Sequence, residues 1–225
     1  GSLSYVRNYR TALRFALQAA EAGDLYGKTI AAGILMFWAP EEMRNVEDGM
    51  KLCREAVEAG YPRAKLFLAW AYLLGRGVEK DPARAAQMAA DVTGLDNGAG
   101  LYLLAMCEIQ GTQGETDADK ALRLLKEAAD LGHVVAMDYL GGVYYDGELG
   151  VDKDRSKAAE YWHQAAAREY DSAAYSLGVV YLYGQGVEKN VYRAAEHLTH
   201  YYRNRPESEI AAWVEKYQQA KPIDR

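Results

Sequence analysis

Two histidines three residues apart, His197 and His200, come nearest in this chain to a metal clip, because residues at i and i+3 of a helix share one face. The remaining histidines, His133 and His163, are remote in sequence, no HExxH is present and no third ligand stands nearby. Two donors fall short of the three or four that zinc takes, so solvated imidazoles and no metal or other cofactor are expected. Nucleophilic chemistry fares no better. Neither Cys53 nor Cys107 has a histidine at an interpretable spacing, and there is no GxSxG. The glycine-rich "GRGVEKD" (75–81) resembles a phosphate cradle but lacks the GxxxxGK[ST] spacing and a preceding buried strand. Carboxylates are plentiful, yet they are scattered along helical faces where a charge is ordinarily just solvated. The expectation is a protein that is not an enzyme.

That loop does recur: "GRGVEKDPARAA" (75–86) returns as "GQGVEKNVYRAA" (184–195), 109 positions later. It ends a pattern of small residue, leucine four places on, a second small residue, and an aromatic at +8. The pattern runs Ala64/Leu68/Ala69/Tyr72, Ala136/Leu140/Gly141/Tyr144 and Ala173/Leu177/Gly178/Tyr181. Weaker copies start near Gly27 and Ala99, giving spacings of 37, 35, 37 and 37. Offsets 0, +4, +5 and +8 lie on one face of a helix, here helix A. A second helix, B, follows each corner, opened by Asp81, Asp117, Asp154 or Asn190, all good N-caps. In the corner, Gly75 and Gly77 should supply positive φ or a close approach, Val78 a plug and Asp81 the cap; the corners of units one and three should differ. A helix over 5–23 precedes the array, a capping helix over 206–220 follows it, and residues 3–225 read as one solenoid domain. Cys53 aligns with Ala89, Leu125, Trp162 and Leu198, and Cys107 with Tyr72, Tyr144 and Tyr181. Both should be buried free thiols.

These motifs resemble the Sel-one-like repeat family, a longer-looped relative of the tetratricopeptide repeat. The resemblance covers roughly Thr11 to Tyr202, tightly from Ala136 onward and loosely in units one and three. It implies an all-α fold, a right-handed α/α superhelical solenoid of about five helix-turn-helix repeats. Members serve in secretion, envelope assembly, toxin immunity and protein quality control, so what it implies is an adaptor.

If offsets 0, +4, +5 and +8 face the core, then +2, +3, +6 and +10 face the inner wall of the superhelix. The candidates for a partner-binding concave face are Phe37, Leu66, Phe67, Trp70, Leu74, Tyr102, Asp138, Tyr139, Asp146, Tyr175 and Tyr183. Each has a competing role, packing between neighbouring A helices. A contiguous aromatic and aliphatic groove is how such solenoids hold an extended peptide or a helix.

Composition bounds the partner. With 225 residues, 50% hydrophobic, a net charge of -6 and a pI near 5.3, the chain is globular and unsuited to nucleic acid, whereas a basic protein or peptide partner is natural. The apolar run Ile30–Ala39 is about half of the roughly 20 residues a membrane span needs. Gly1-Ser2 looks like a cloning remnant, and an upstream secretory signal would place the protein in the periplasm or outside the cell; that setting is favoured over the cytoplasm. A monomeric protein-binding scaffold leads. Its sharper form is an immunity protein neutralising a secreted bacterial toxin, and the alternative is a binder or hydrolase of cell-wall fragments or other carbohydrate.

Overall fold

Helices begin where a short polar side chain can satisfy the first free amides. The computed structural model describes residues 2–94, 98–112 and 115–202, with side chains from residue 8 onward. Among these there is no strand, and eleven α-helices follow one another: α1 (Ser2–Glu21), α2 (Leu25–Gly33), α3 (Val46–Glu58), α4 (Pro62–Leu74), α5 (Pro82–Ala90), α6 (Ala99–Gln110), α7 (Ala118–Asp130), α8 (Val134–Asp146), α9 (Arg155–Ala166), α10 (Asp171–Tyr183) and α11 (Val191–Tyr202). Each packs on the next, so α2–α3, α4–α5, α6–α7, α8–α9 and α10–α11 form five stacked A/B pairs, with α1 as a leading B helix. The segment expected to cap the array, 206–220, lies outside the described residues. Asn45, Asp81, Asp117, Asp154 and Asn190 cap the B helices, each side chain accepting from the backbone N–H three residues on. In the first unit, for which the sequence offered no cap, Asn45 fills the role.

A second bond fixes the register of every pair. The backbone N–H of each B-helix cap donates to a carbonyl in the last turn of helix A: Asn45 to Leu35, Asp81 to Tyr72, Asp117 to Glu108, Asp154 to Tyr144 and Asn190 to Tyr181, at 2.8–3.3 Å. These carbonyls are ones a helix end leaves without an intrahelical partner. Four of the acceptors stand at +8 of the units starting at 27, 64, 136 and 173. The fifth, Glu108, puts the start of unit three at Gly100, one residue beyond Ala99. Cys107 therefore does not align with the +8 tyrosines; it stands at +7 with Ala71, Val143 and Val180, all no more than 1% exposed. Glu108 takes the tyrosine's place, and the substitution is compensated. In three units a B-helix cation lies over the +8 ring, Arg84 on Tyr72, Lys157 on Tyr144 and Arg193 on Tyr181, at 4.3–5.5 Å. In unit three the equivalent cation, Lys120, pairs directly with the buried Glu108 carboxylate at 2.8 Å.

The corner glycines do two jobs. Gly75 and Gly184 end their A helices with φ of 66° and 68°, and Gly77 and Gly186 follow with 71° and 80°. The second glycine of each pair also lies against the preceding repeat. A Cβ on Gly77 would meet Val46 and Met50 of α3, and one on Gly186 would fall on the Arg155 backbone of α9. The repeated loop is thus a stacking surface between repeats.

The A helices are apolar nearly all the way round. Each packs between its own B helix and the preceding one, and α4 also meets the A helices α2 and α6, which corrects the assignment of Leu66 to an open wall. Leu66 is 9% exposed, inside a cluster with Ala69, Leu73, Leu103 and Cys107, and its +2 counterpart in the first unit, Thr29, is 1% exposed. Both cysteines are free and buried. Cys53 donates to the Ala64 carbonyl at 3.3 Å, and burial pushes both thiols up to about 12, so neither offers a thiolate near neutral pH.

Candidate functional site

With Leu66 inside, the remaining wall residues resolve into aromatic patches that step from one A helix to the next. In the first, Phe37 and Phe67 stack at 6.1 Å and Trp38 meets Phe67 edge-on at 5.3 Å. Trp38 comes from a π-helical turn, Ile34–Trp38, that closes α2, and its ring lies over Gly33, where a Cβ would contact it at 2.8 Å. Arg76 lies over Phe37 at 5.3 Å and donates to the Met36 carbonyl at 2.6 Å.

The second patch spans three A helices. Trp70 on α4 meets Tyr102 on α6 at 6.0 Å, and Tyr102 meets Tyr139 on α8 edge-on at 6.4 Å. His133, at the entrance to α8, stacks on Tyr102 at 4.9 Å while its Nδ1 accepts from the Ala136 N–H at 3.2 Å, capping the helix. All of these rings are half-buried, so each keeps a face or edge toward solvent. Beside them Asp138 accepts from the Ser172 hydroxyl at 3.0 Å. Burial raises its pKa from the ordinary aspartate value, against the pull of that hydrogen bond and of the Trp162 indole N–H.

The other candidates are dispersed. Leu74 and Tyr183 are 47% and 46% exposed at the ends of α4 and α10, and Asp146 is exposed at the end of α8. Tyr175 turns to α11, where it meets Tyr201 at 4.9 Å. The structure thus brings Phe37 to Phe67, and Trp70 to Tyr102, Tyr139 and Asp138. It adds Trp38, His133 and Tyr170, which helical spacing could not reach because they sit in a π-turn or in N-cap positions.

Of the other histidines anticipated as solvated, His163 on α9 and His197 on α11 are built into the junction of the last two repeats. His197 stacks on Tyr181 at 5.8 Å and 8°, and His163 shares a 2.9 Å hydrogen bond with the Tyr181 hydroxyl, to which Arg193 also donates at 3.0 Å. His200 faces Asp171 at 3.6 Å, and Glu196 lies in the same open depression of about 710 Å³. Among the described residues no three His, Cys, Asp or Glu side chains gather as metal ligands would. Burial pushes His163 and His197 below the ordinary histidine value of 6.5; Arg193 acts the same way on both, and only Glu196 opposes, at His197. Burial also lowers His133. A histidine depressed in the folded state favours the native form while neutral. That stability is complete above pH 6.5 and is lost as pH falls from there through the depressed values. The melting temperature should therefore drop between pH 7.5 and pH 5, and the drop should shrink in a His163→Gln/His197→Phe double variant. An equal drop in the two proteins would assign the effect elsewhere.

Comparison with known proteins settles the repeat's kinship. The Sel1 repeat model matches residues 1–24, 62–89, 98–133, 134–170 and 171–199. The chain belongs to the Sel1 repeat family. A Sel1 repeat protein from Oxalobacter formigenes superposes with a TM-score of 0.64 at 23% identity over 91% of this chain and 58% of that one. The immunity protein Pa5087 from Pseudomonas aeruginosa is 27% identical, with a TM-score of 0.57, over 79% of this chain and 64% of its own. Among curated relatives, the ERAD-associated E3 ubiquitin-protein ligase component HRD3B of Arabidopsis thaliana is 31% identical over 38% of this chain. The chain covers only 19% of that relative's length. The fold is the right-handed α/α solenoid of about five repeats that the sequence implied. Sel1 repeats typically mediate protein–protein interactions and generally act without catalysis. Among the described residues no helix is long and apolar enough to cross a membrane.

Proposed function

We propose that this Sel1 repeat protein is a non-catalytic scaffold that holds a partner protein or peptide on the wall formed by its A helices. One observation carries the reading: Trp70, Tyr102 and Tyr139, from three successive A helices, touch ring to ring and yet all remain partly exposed. Rings needed only for the core would be covered, as Trp162 is at 6%. Tyr and Trp in a continuous partly exposed band are the residues that dominate binding energy at interfaces.

A sharper form, neutralisation of a secreted toxin, is supported by the likeness to the Pseudomonas immunity protein, and an extracytoplasmic setting would accompany it. The carbohydrate alternative has less behind it. Of the carboxylates lining the cleft at the third corner, Glu108, Glu115, Asp117 and Asp119, the buried one is neutralised by Lys120 and Asp117 is spent on its helix cap.

Photo-cross-linking tests the scaffold reading. The photoreactive residue p-benzoylphenylalanine, placed at Leu74 or Tyr183 on the A-helix side, should yield one specific adduct from the protein's native lysate. The same group at Tyr192, 90% exposed on α11, should yield none. Adducts at Tyr192 with none at the other two positions would move the interface to the B helices.

A further inference from the structure

Among the described residues Asp138 is a carboxylate without a counter-ion. No lysine or arginine among them pairs with it, and the groups that draw on its charge are neutral donors, the Ser172 hydroxyl at 3.0 Å and the Trp162 indole N–H beside it. Tyr102, Tyr139 and Tyr170 are grouped near it, and none of their hydroxyls is hydrogen-bonded within the described residues. The Asp138 charge is felt at the hydroxyls of both Tyr102 and Tyr170, and Tyr139 also acts on Tyr102, whose own phenol is pushed up to about 12, first by burial. Elsewhere in this protein a tyrosine ring of the A helices already has its cation: Arg84, Lys157 and Arg193 lie over Tyr72, Tyr144 and Tyr181. The Trp70–Tyr102–Tyr139 band offers the same aromatic faces with the Asp138 carboxylate beside them, and among the described residues no lysine or arginine lies over its rings.

We infer that Asp138 with Trp70, Tyr102, Tyr139 and Tyr170 forms a subsite for an arginine side chain presented by the partner. The inference rests on the scaffold reading and narrows it to partners carrying an arginine where they cross α6 and α8. Guanidinium fits this site in two ways. Its flat face lies against aromatic rings, and its N–H donors meet the carboxylate and three phenol oxygens that lack partners. The partial burial of Asp138 works in the same direction, because a desolvated charge gains more from a counter-ion than one in water.

The subsite can be probed without the partner. N-acetyl-arginine-methylamide titrated into the full chain should shift the Trp70 indole resonance, assigned with Trp70→Phe, with a dissociation constant on the order of millimolar. N-acetyl-citrulline-methylamide has nearly the same shape but no charge. It should bind roughly five- to thirtyfold more weakly, and Asp138→Asn should weaken the arginine probe by a similar factor. Asparagine keeps an acceptor for Ser172, so the fold should stay intact, as the unchanged amide spectrum would show. Asp146→Asn, on the same helix but outside the ring cluster, should leave binding as it is. Equal binding of citrulline and arginine, an Asp138→Asn protein that binds arginine as wild type does, or shifts centred on the third-corner acids would each overturn the subsite. None of these outcomes depends on the cross-linking result, so the wall can stand where the arginine subsite falls. Adducts confined to Tyr192 would instead remove the wall and leave the arginine probe to report on a site with no partner.

Discussion

Gly141→Ala should destabilise the protein by roughly 2 to 3 kcal/mol, while Gly142→Ala, one residue along, should stabilise it by up to about 1 kcal/mol. The two glycines sit in the same helix, α8, where alanine is intrinsically preferred, so propensity alone gives both changes the same favourable sign. Packing separates them. A Cβ at Gly141 would fall within the Trp162 indole, whereas one at Gly142 would meet nothing within 4 Å. Trp162 has no easy retreat. Its ring is 6% exposed, its Nε1 donates to the Asp138 carbonyl at 3.2 Å, and Tyr145 packs against it at 5.6 Å. The position is one half of a size exchange along the array. The same A-helix offset holds Ala32, Ala69, Ala105, Gly141 and Gly178, and the matching B-helix residues are Cys53, Ala89, Leu125, Trp162 and Leu198. Glycine appears in the last two units, where a Cβ would strike Trp162 or Leu198. Urea unfolding of both variants gives the signs, and hydrogen exchange in α8 and α9 should localise the loss. Two shifts of the same sign would mean that the Gly141–Trp162 contact does not govern this pair.

The sequence disclosed the period, the antiparallel pairing and the B-helix caps, because each depends on one residue type at one place: a capping Asp or Asn, a corner glycine, an alanine facing inward. It misplaced unit three by one residue for a physical reason. Three of the other units carry an aromatic at +8, whereas this one has Glu108, whose fitness for the position comes from Lys120 in the next helix. Leu103 and Leu104 lie side by side and satisfy the leucine position in either register; the small residue required at +5, which is Ala105 counted from Gly100 but Leu104 counted from Ala99, was the local signal for the true register. Leu66 was misread because a helical wheel supposes one buried face, and an A helix in a stacked array has several. The same wheel picked out Trp70, Tyr102, Tyr139 and Asp138, yet could not see His133 or Tyr170, which come to the second patch from N-cap positions, nor Trp38, which a π-turn carries to the first patch beside Phe67. Residues outside regular helix have no period to betray them.

Trp70→Ala should lower partner affinity by roughly thirtyfold or more, an effect of about 2 kcal/mol or greater, while costing the fold less than Leu66→Ala does. The two residues lie one turn apart on α4 and differ in what surrounds them. Leu66 is 9% exposed in the core cluster, so its truncation leaves a cavity worth roughly 2 to 4 kcal/mol of stability and should lower the melting temperature clearly. Trp70 rests one side of its ring on that cluster and turns the rest toward Tyr102 and solvent. Its loss removes an anchor and one ring of the arginine subsite but leaves only a shallow, wettable gap. Stability and affinity should therefore move in opposite orders: Leu66→Ala the less stable protein with near-normal affinity once folded, Trp70→Ala the more stable protein with weak binding. Calorimetric melting and titration of the purified partner, run on both variants, read the two quantities separately. A Trp70→Ala protein that melts as low as Leu66→Ala would make Trp70 part of the core. One that keeps wild-type affinity would take the partner off the second aromatic patch altogether, leaving Phe37, Trp38 and Phe67 as the place to look.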